Sequence, residues 1–290
     1  MTQIYTRVIP ELPVANRRLG RHVHHDSRSL AYKVTADGTA ISASWARKTP
    51  VLDQGDLGSC TGNAACGVLG TDPFYATLAP DIQVGLKLDE DEAVTLYSSA
   101  TQLDEYAGTY PPDDSGSSGL GVAKACQKAG FISGYQHITS VAAAQTAIQS
   151  GPFIVGSDWF EGMDNPDSSG LVKATGSVRG AHEYECDEYD AARDLWWFWN
   201  SWGPAFGVAG RFCYTSGTFA QLLSRDGDAT VFTPITSPAP TPTPTPMPTN
   251  TVDAALVMAG NVWERTILSR LTKAGKMRAA FDEWKSAHGY

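Results

Sequence analysis

The chain has 290 residues, 42% of them hydrophobic, and carries a formal net charge of −9 at pH 7. That length supports one sizeable core plus an appendage, and the acidic balance argues against nucleic acid as the main partner. There is no apolar run of about 18 residues, so no transmembrane span is expected. The first ten residues lack the apolar core of a secretory signal, so a cytoplasmic or virion-associated location is expected.

In chain order, residues 1–43 are weakly patterned and read as an N-terminal arm or a reduced pro-segment. Arg17, Arg18, Arg21 and the run His22-Val23-His24-His25-Asp26 stand out. The histidine run has no second ligand cluster, so a solvated, salt-bridged arm is favoured over a metal site, and no metal or cofactor is expected. Residues 44–236 read as the main globular domain. Within it, residues 50–59 form a glycine-punctuated loop that ends at Cys60, and a small-residue helix is expected over 61–69. Asp89, Glu90, Asp91 and Glu92 complement the start of a helix that continues through 93–100. They lack the glycine and the terminal glutamate of a calcium loop. A flexible loop at 111–121 leads into a helix at 122–130 closed by Gly130. An Ala-rich helix at 141–149 follows, then a buried strand start over 150–157 and strands at 171–172, 182–189, 195–200 and 210–214. Helices first and strands later predict an α+β protein of two lobes with a cleft between them.

The alternating Pro/Thr run 237–250 reads as an extended linker that spans roughly 40 Å at about 3.1 Å per residue. Beyond it, residues 251–290 carry an apolar helical stripe that includes Leu256, Trp263, Ile267, Leu271, Phe281 and Trp284. About forty residues cannot bury that stripe alone, so this amphipathic segment is expected to pack on itself as a helical pair, on the main domain or on a protein docking partner. The segment is slightly basic, at +2, which leaves −11 on the rest. There are five cysteines. Apart from Cys60 they read as buried reduced thiols, with one bridge between Cys186 and Cys213 left open if those residues lie on neighbouring strands.

The chemistry converges on Cys60. A cysteine in the first turn of a helix meets unpaired N–H groups and the positive end of the helix dipole, which favour the nucleophilic thiolate. Gln54, six residues upstream, can aim a side-chain amide at the point the Cys60 backbone N–H faces, which makes an oxyanion hole. The segment Gln54-Gly55-Asp56-Leu57-Gly58-Ser59-Cys60 resembles the active-site segment of papain-like cysteine proteases, the C1 peptidases. Gly180-Ala181-His182-Glu183 is similar to that family's histidine segment, and Trp199-Asn200-Ser201-Trp202-Gly203 to its asparagine segment. The three occur in the family's order over residues 50–214. The resemblance implies a papain-like two-lobed fold, a helical lobe facing an antiparallel, barrel-like one, and makes 44–236 a catalytic domain. It further implies cysteine peptidase activity, of endopeptidase type, on protein or peptide substrates.

Under that resemblance Cys60 is the nucleophile, His182 its base, Asn200 the residue that orients the imidazole, and Gln54 an oxyanion donor. Trp202 shields the His182–Asn200 bond. Gly58, Gly116, Ser117, Ala181 and Trp202 line the substrate cleft, with Gly116 and Ser117 pairing with substrate backbone. The acids Glu183, Glu185, Asp187 and Glu188 are expected to raise the pKa of His182. Two departures from the family pattern, Thr61 after the cysteine and Glu183-Tyr184 after the histidine, predict an altered cleft floor. The tail and the short N-terminal segment suggest a bacterial or phage setting. The competing readings are another Cys–His hydrolase, such as a cell-wall amidase, and a non-enzymatic or weakly active virion or assembly protein with this fold.

Overall fold

The structure, a computed structural model, describes residues 4–12, 14, 17–38 and 40–235. The expected linker and the amphipathic C-terminal segment lie outside the described residues. The arm contributes β1 (Ile4–Arg7) and β2 (Val23–Asp26), which pair antiparallel with Ile4 opposite Asp26. A two-residue strand, β3 (Ala43–Ser44), precedes the helical lobe. That lobe consists of α1 (Cys60–Leu69), α2 (Phe74–Thr77), α3 (Ala79–Gln83), α4 (Glu90–Thr101) and α5 (Gly119–Ala129).

Every residue of α1 is buried, which its small side chains allow. A Cβ at Gly62 would collide with the Ala93 carbonyl, so the missing side chain is what lets α1 and α4 approach. The α4 start is capped by Asp89, which accepts from the Glu92 N–H with Glu90, Asp91 and Glu92 in the first turn, as the acidic run predicts. Ser118 caps α5, and Gly130 closes it at φ 77°, where glycine carries no Cβ penalty.

The second lobe opens with β4 (Gly134–Ile138) and α6 (Val141–Ala147), then β5 (Phe153–Phe160) and β6 (Val178–Asp190). It closes with β7 (Leu195–Trp199), β8 (Arg211–Thr215), α7 (Ser216–Leu223) and β9 (Asp228–Thr233). The sheet order is β4-β9-β5-β6-β7-β8, with β3 added on β6 and all pairings antiparallel. Its core is aromatic, built on Trp159, Trp196, Phe198, Phe212, Tyr214 and Phe219, and is distinct from the aliphatic core under α1, α4 and α5. Two cores with α1 laid against β6 make a two-lobed α+β molecule.

Some expectations change. Residues 171–172 form no strand; Leu171 makes an isolated parallel bridge to Cys213. The histidine run is not solvated, because β2 is tucked under the domain and leaves His22, His24 and Asp26 8%, 2% and 4% exposed. All five cysteines are free and buried. Cys186 lies opposite Phe198 and Cys213 opposite Trp197, so β7 runs between them and they are not on neighbouring strands. Among the described residues no helix is long and apolar enough to cross a membrane, and no cluster of potential metal ligands occurs.

Candidate active site

Cys60 opens α1, with Ser59 as the N-cap residue. His182 sits in the middle of β6, opposite Ser157 of β5, and Asn200 follows directly after β7. The imidazole Nε2 lies 2.8 Å from Asn200 Oδ1. That oxygen has no proton to give, so Nε2 carries the hydrogen and Nδ1 is left as the free lone pair. His182 Nδ1 is buried with no hydrogen-bond partner among the described residues. Trp202 stacks on the imidazole at 4.9 Å between ring centroids, and Trp159 meets it edge-on at 5.1 Å. Both rings keep water off the His182–Asn200 bond. Asn200 Oδ1 also accepts from the Ser201 N–H at 2.7 Å, which fixes the amide orientation. The Glu183 backbone N–H favours the thiolate of Cys60, which sets the thiol beside the residue after His182.

Gln54 is held at both ends. Its Oε1 accepts from Ser201 Oγ at 2.6 Å, and its backbone N–H donates to the Ser201 carbonyl at 2.9 Å. Its Nε2 donates to the Leu57 carbonyl at 2.8 Å and to the Leu19 carbonyl at 3.2 Å. Leu19 belongs to the arm, so a peptide carbonyl from the same chain lies on the side-chain amide read from sequence as an oxyanion donor.

The five residues expected to line the cleft all meet this arm. Ser117 donates from its N–H to the Gly20 carbonyl at 2.9 Å and accepts from the His22 N–H at 2.6 Å, a parallel bridge centred on Arg21. The Ala181 carbonyl accepts from the N–H groups of Gly20 and Arg21 at 3.3 and 3.2 Å. Trp202 Nε1 donates to the Arg18 carbonyl at 2.9 Å. At Gly20, with φ 131°, a Cβ would collide with the Gly58 carbonyl. At Gly116, with φ 71°, one would sit 2.5 Å from the Gly20 oxygen. Both glycines are required where the two backbones come closest.

This cover sets the protonation states. Cys60 and His182 are both wholly buried. Burial, followed by the charge of Glu183, pushes the Cys60 thiol well above its ordinary range. Burial lowers His182 to about 3; the Asn200 hydrogen bond opposes this and Arg179 adds to it. The expectation that neighbouring acids raise His182 is therefore overturned. Side chains alternate across a strand, so Glu183 and Glu185 project to the face opposite His182, and desolvation outweighs charge. With the arm in place the pair rests as neutral thiol and neutral imidazole.

Sequence reading did not anticipate three participants: Leu19, Asp114 and Asp228. Asp114 Oδ1 accepts from Tyr97 Oη at 2.8 Å and from the Gly58 N–H at 3.1 Å, so it braces the loop before Cys60. The alternation in Asp228-Ala229-Thr230-Val231-Phe232-Thr233 is a readable strand signal. Nothing local marks the contact of Asp228 with the arm.

No family model matches the sequence, and no curated protein matches it. Among solved structures it is similar to xylellain, a cysteine protease from Xylella fastidiosa, at 16% identity and a TM-score of 0.57. That match covers 77% of this chain and 100% of xylellain. A second similar structure is the proform of the Amb a 11 cysteine protease, a ragweed pollen allergen, at 18% identity and a TM-score of 0.50. It covers 69% of this chain and 67% of that one. The fold is that of the papain-like cysteine proteases. Identities this low speak to the fold alone, and the chemistry rests on the residues of this papain-like domain.

Proposed function

We propose that this chain is a cysteine peptidase, an endopeptidase that hydrolyses peptide bonds through Cys60, His182 and Asn200. The observation that carries the reading is the Leu19 peptide carbonyl resting on Gln54 Nε2 beside the buried Cys60, with His182 oriented by Asn200. In this mechanism His182 Nδ1 takes the thiol proton, and the sulfur attacks a peptide carbonyl. The oxyanion is held by Gln54 Nε2 and the Cys60 N–H, which has no intrahelical acceptor. The imidazolium then protonates the leaving amine. Water, deprotonated by His182, hydrolyses the thioester and restores the thiol.

In this reading residues 17–22 are a cleft-filling arm whose departure readmits water and brings both pKa values back toward their ordinary range. The domain is then a catalytic unit held inactive by its own N-terminal segment, with residues 251–290 as a docking tail and a bacterial or phage setting. The complete burial of Cys60 also gives weight to a second reading, a papain-fold assembly protein whose site stays closed.

The deciding experiment is labelling with an epoxide inactivator of papain-like enzymes, read by intact mass, on wild type and Cys60→Ala, before and after arm displacement. One adduct that disappears in Cys60→Ala supports the peptidase. No adduct on folded protein with a displaced arm supports the closed assembly protein.

A further inference from the structure

The cleft contains a buried acidic recess that the peptidase chemistry does not use. β5 lies between β6 and β9, and the register sets Gly156 opposite Glu183 on one side and opposite Asp228 on the other. Directly opposite residues of antiparallel strands share a face, so two carboxylates flank a residue without a side chain. A Cβ at Gly156 would lie 2.5 Å from Glu183 Oε2, 2.6 Å from Asp228 Oδ1 and 2.7 Å from Arg21 Nε. From a second glycine, Gly119, a Cβ would lie 2.7 Å from Glu183 Oε1 and 3.2 Å from Asp228 Oδ2. The missing side chain at Gly156 leaves open volume beside the Arg21 guanidinium, and that at Gly119 leaves room for the two carboxylates.

Arg21 has a fully buried side chain. Its Nη2 lies 2.5 Å from Asp228 Oδ1 and donates to the Asp226 carbonyl at 2.7 Å. Neither Glu183 carboxylate oxygen has a hydrogen-bond partner among the described residues, although Glu183 is only 1% exposed. Burial, then the charge of Asp228, pushes Glu183 well above the ordinary carboxylate range, and Arg21, which ion-pairs with Asp228, opposes this through its charge. Both acids belong to the domain, and the cation comes from the arm.

The recess is in register with the peptide track. The residue that occupies it is the one whose neighbours bond to Ser117, two positions from the carbonyl resting on Gln54. We propose that Glu183 and Asp228 form a specificity pocket for arginine in a peptide substrate, at the residue that pairs with Ser117. The proposal rests on the peptidase reading, and Arg21 is the internal occupant whose fit defines the pocket. Both bonds to Asp228 and to the Asp226 carbonyl leave one nitrogen, Nη2, so the recess reads the positive charge at the end of a long side chain. The preference is therefore for arginine, the side chain whose reach the recess already fits, over leucine and glutamate.

The test uses the full chain with Leu19→Ala and Arg21→Ala, which loosen the arm and vacate the recess, combined with Cys60→Ala, which removes turnover. Acetylated peptide amides of sequence Ala-Ala-Xaa-Gly-Ala-Ala, with Xaa as Arg, Lys, Leu or Glu, are titrated by calorimetry. The expected result is at least tenfold tighter binding of the arginine peptide than the leucine peptide, about one decade in Kd. Adding Glu183→Gln should abolish the preference, and Asp228→Asn serves if that variant does not fold. Equal affinity for arginine and leucine, or no binding of the arginine peptide, overturns the pocket. The chemistry is scored separately with Cys60 intact. Arginine-selective binding without hydrolysis or epoxide labelling leaves the pocket and removes the peptidase, whereas hydrolysis indifferent to arginine does the reverse.

Discussion

Truncating Leu19 to alanine is the sharpest probe of the arm. Leu19 is wholly buried and joins the aromatic core of the sheet lobe, where its Cδ1 lies 2.6 Å from the position of a Cβ at Gly180. Undocking the arm exposes it. Removing three carbons at about 0.8 kcal/mol each therefore weakens docking by about 2.4 kcal/mol, which raises the open fraction about 60-fold. Cys60 is fully covered when the arm is docked, so a small alkylating reagent reaches it only from the open state. A pulse of iodoacetamide followed by peptide mass spectrometry should label Cys60 in Leu19→Ala about 60 times faster than in wild type. Cys126, fully buried in the helical lobe, reports global unfolding and should keep its rate. Equal acceleration at Cys60 and Cys126, or no change at Cys60, would refute the argument that the arm gates the thiol.

Three other outcomes are expected. Burial holds His22 and His24 below 6.5 in the docked arm; an undocked arm takes up more protons, so docking is at full strength above pH 6.5 and weakens as pH falls below it. Hydrogen exchange at the Arg21 and His22 amides, corrected for intrinsic rate, should be faster at pH 5 than at pH 7.5, and unchanged protection would sink the histidine argument. Gln54→Ala should lower kcat by about 10²–10³ with a small change in KM, as for other oxyanion donors, and a change confined to KM would reassign Gln54 to binding. Arg47 and Glu185 form a pair 2.8 Å apart with side chains 5% and 1% exposed. Arg47→Met should therefore cost about 3–5 kcal/mol in chemical denaturation, and a loss below about 1 kcal/mol would show that Glu185 is neutralised without it.

What the sequence determined was local. Small residues let α1 be buried on all sides, the acidic run from Asp89 marked a helix start, and Gly130 marked a stop, while the α5 start at Gly119 fell inside what read as a loop. These signals work within one turn or one strand and depend little on the rest of the chain. The order of helices before strands then made the class α+β legible, and the segments around Gln54, Cys60, His182 and Asn200 made the papain-like fold legible. Tertiary structure decided the rest. Glu183 was readable only as an acid next to a histidine, yet the register of β5 against both β6 and β9 turns it toward Asp228, 45 residues away, and away from the imidazole. The arm's charged and histidine-rich run looked fit for solvent. It is buried because β1 and a recess built from three separate strands accept it. Even the sign of the His182 shift followed from that cover, since desolvation depends on what packs over a group and not on its neighbours in sequence.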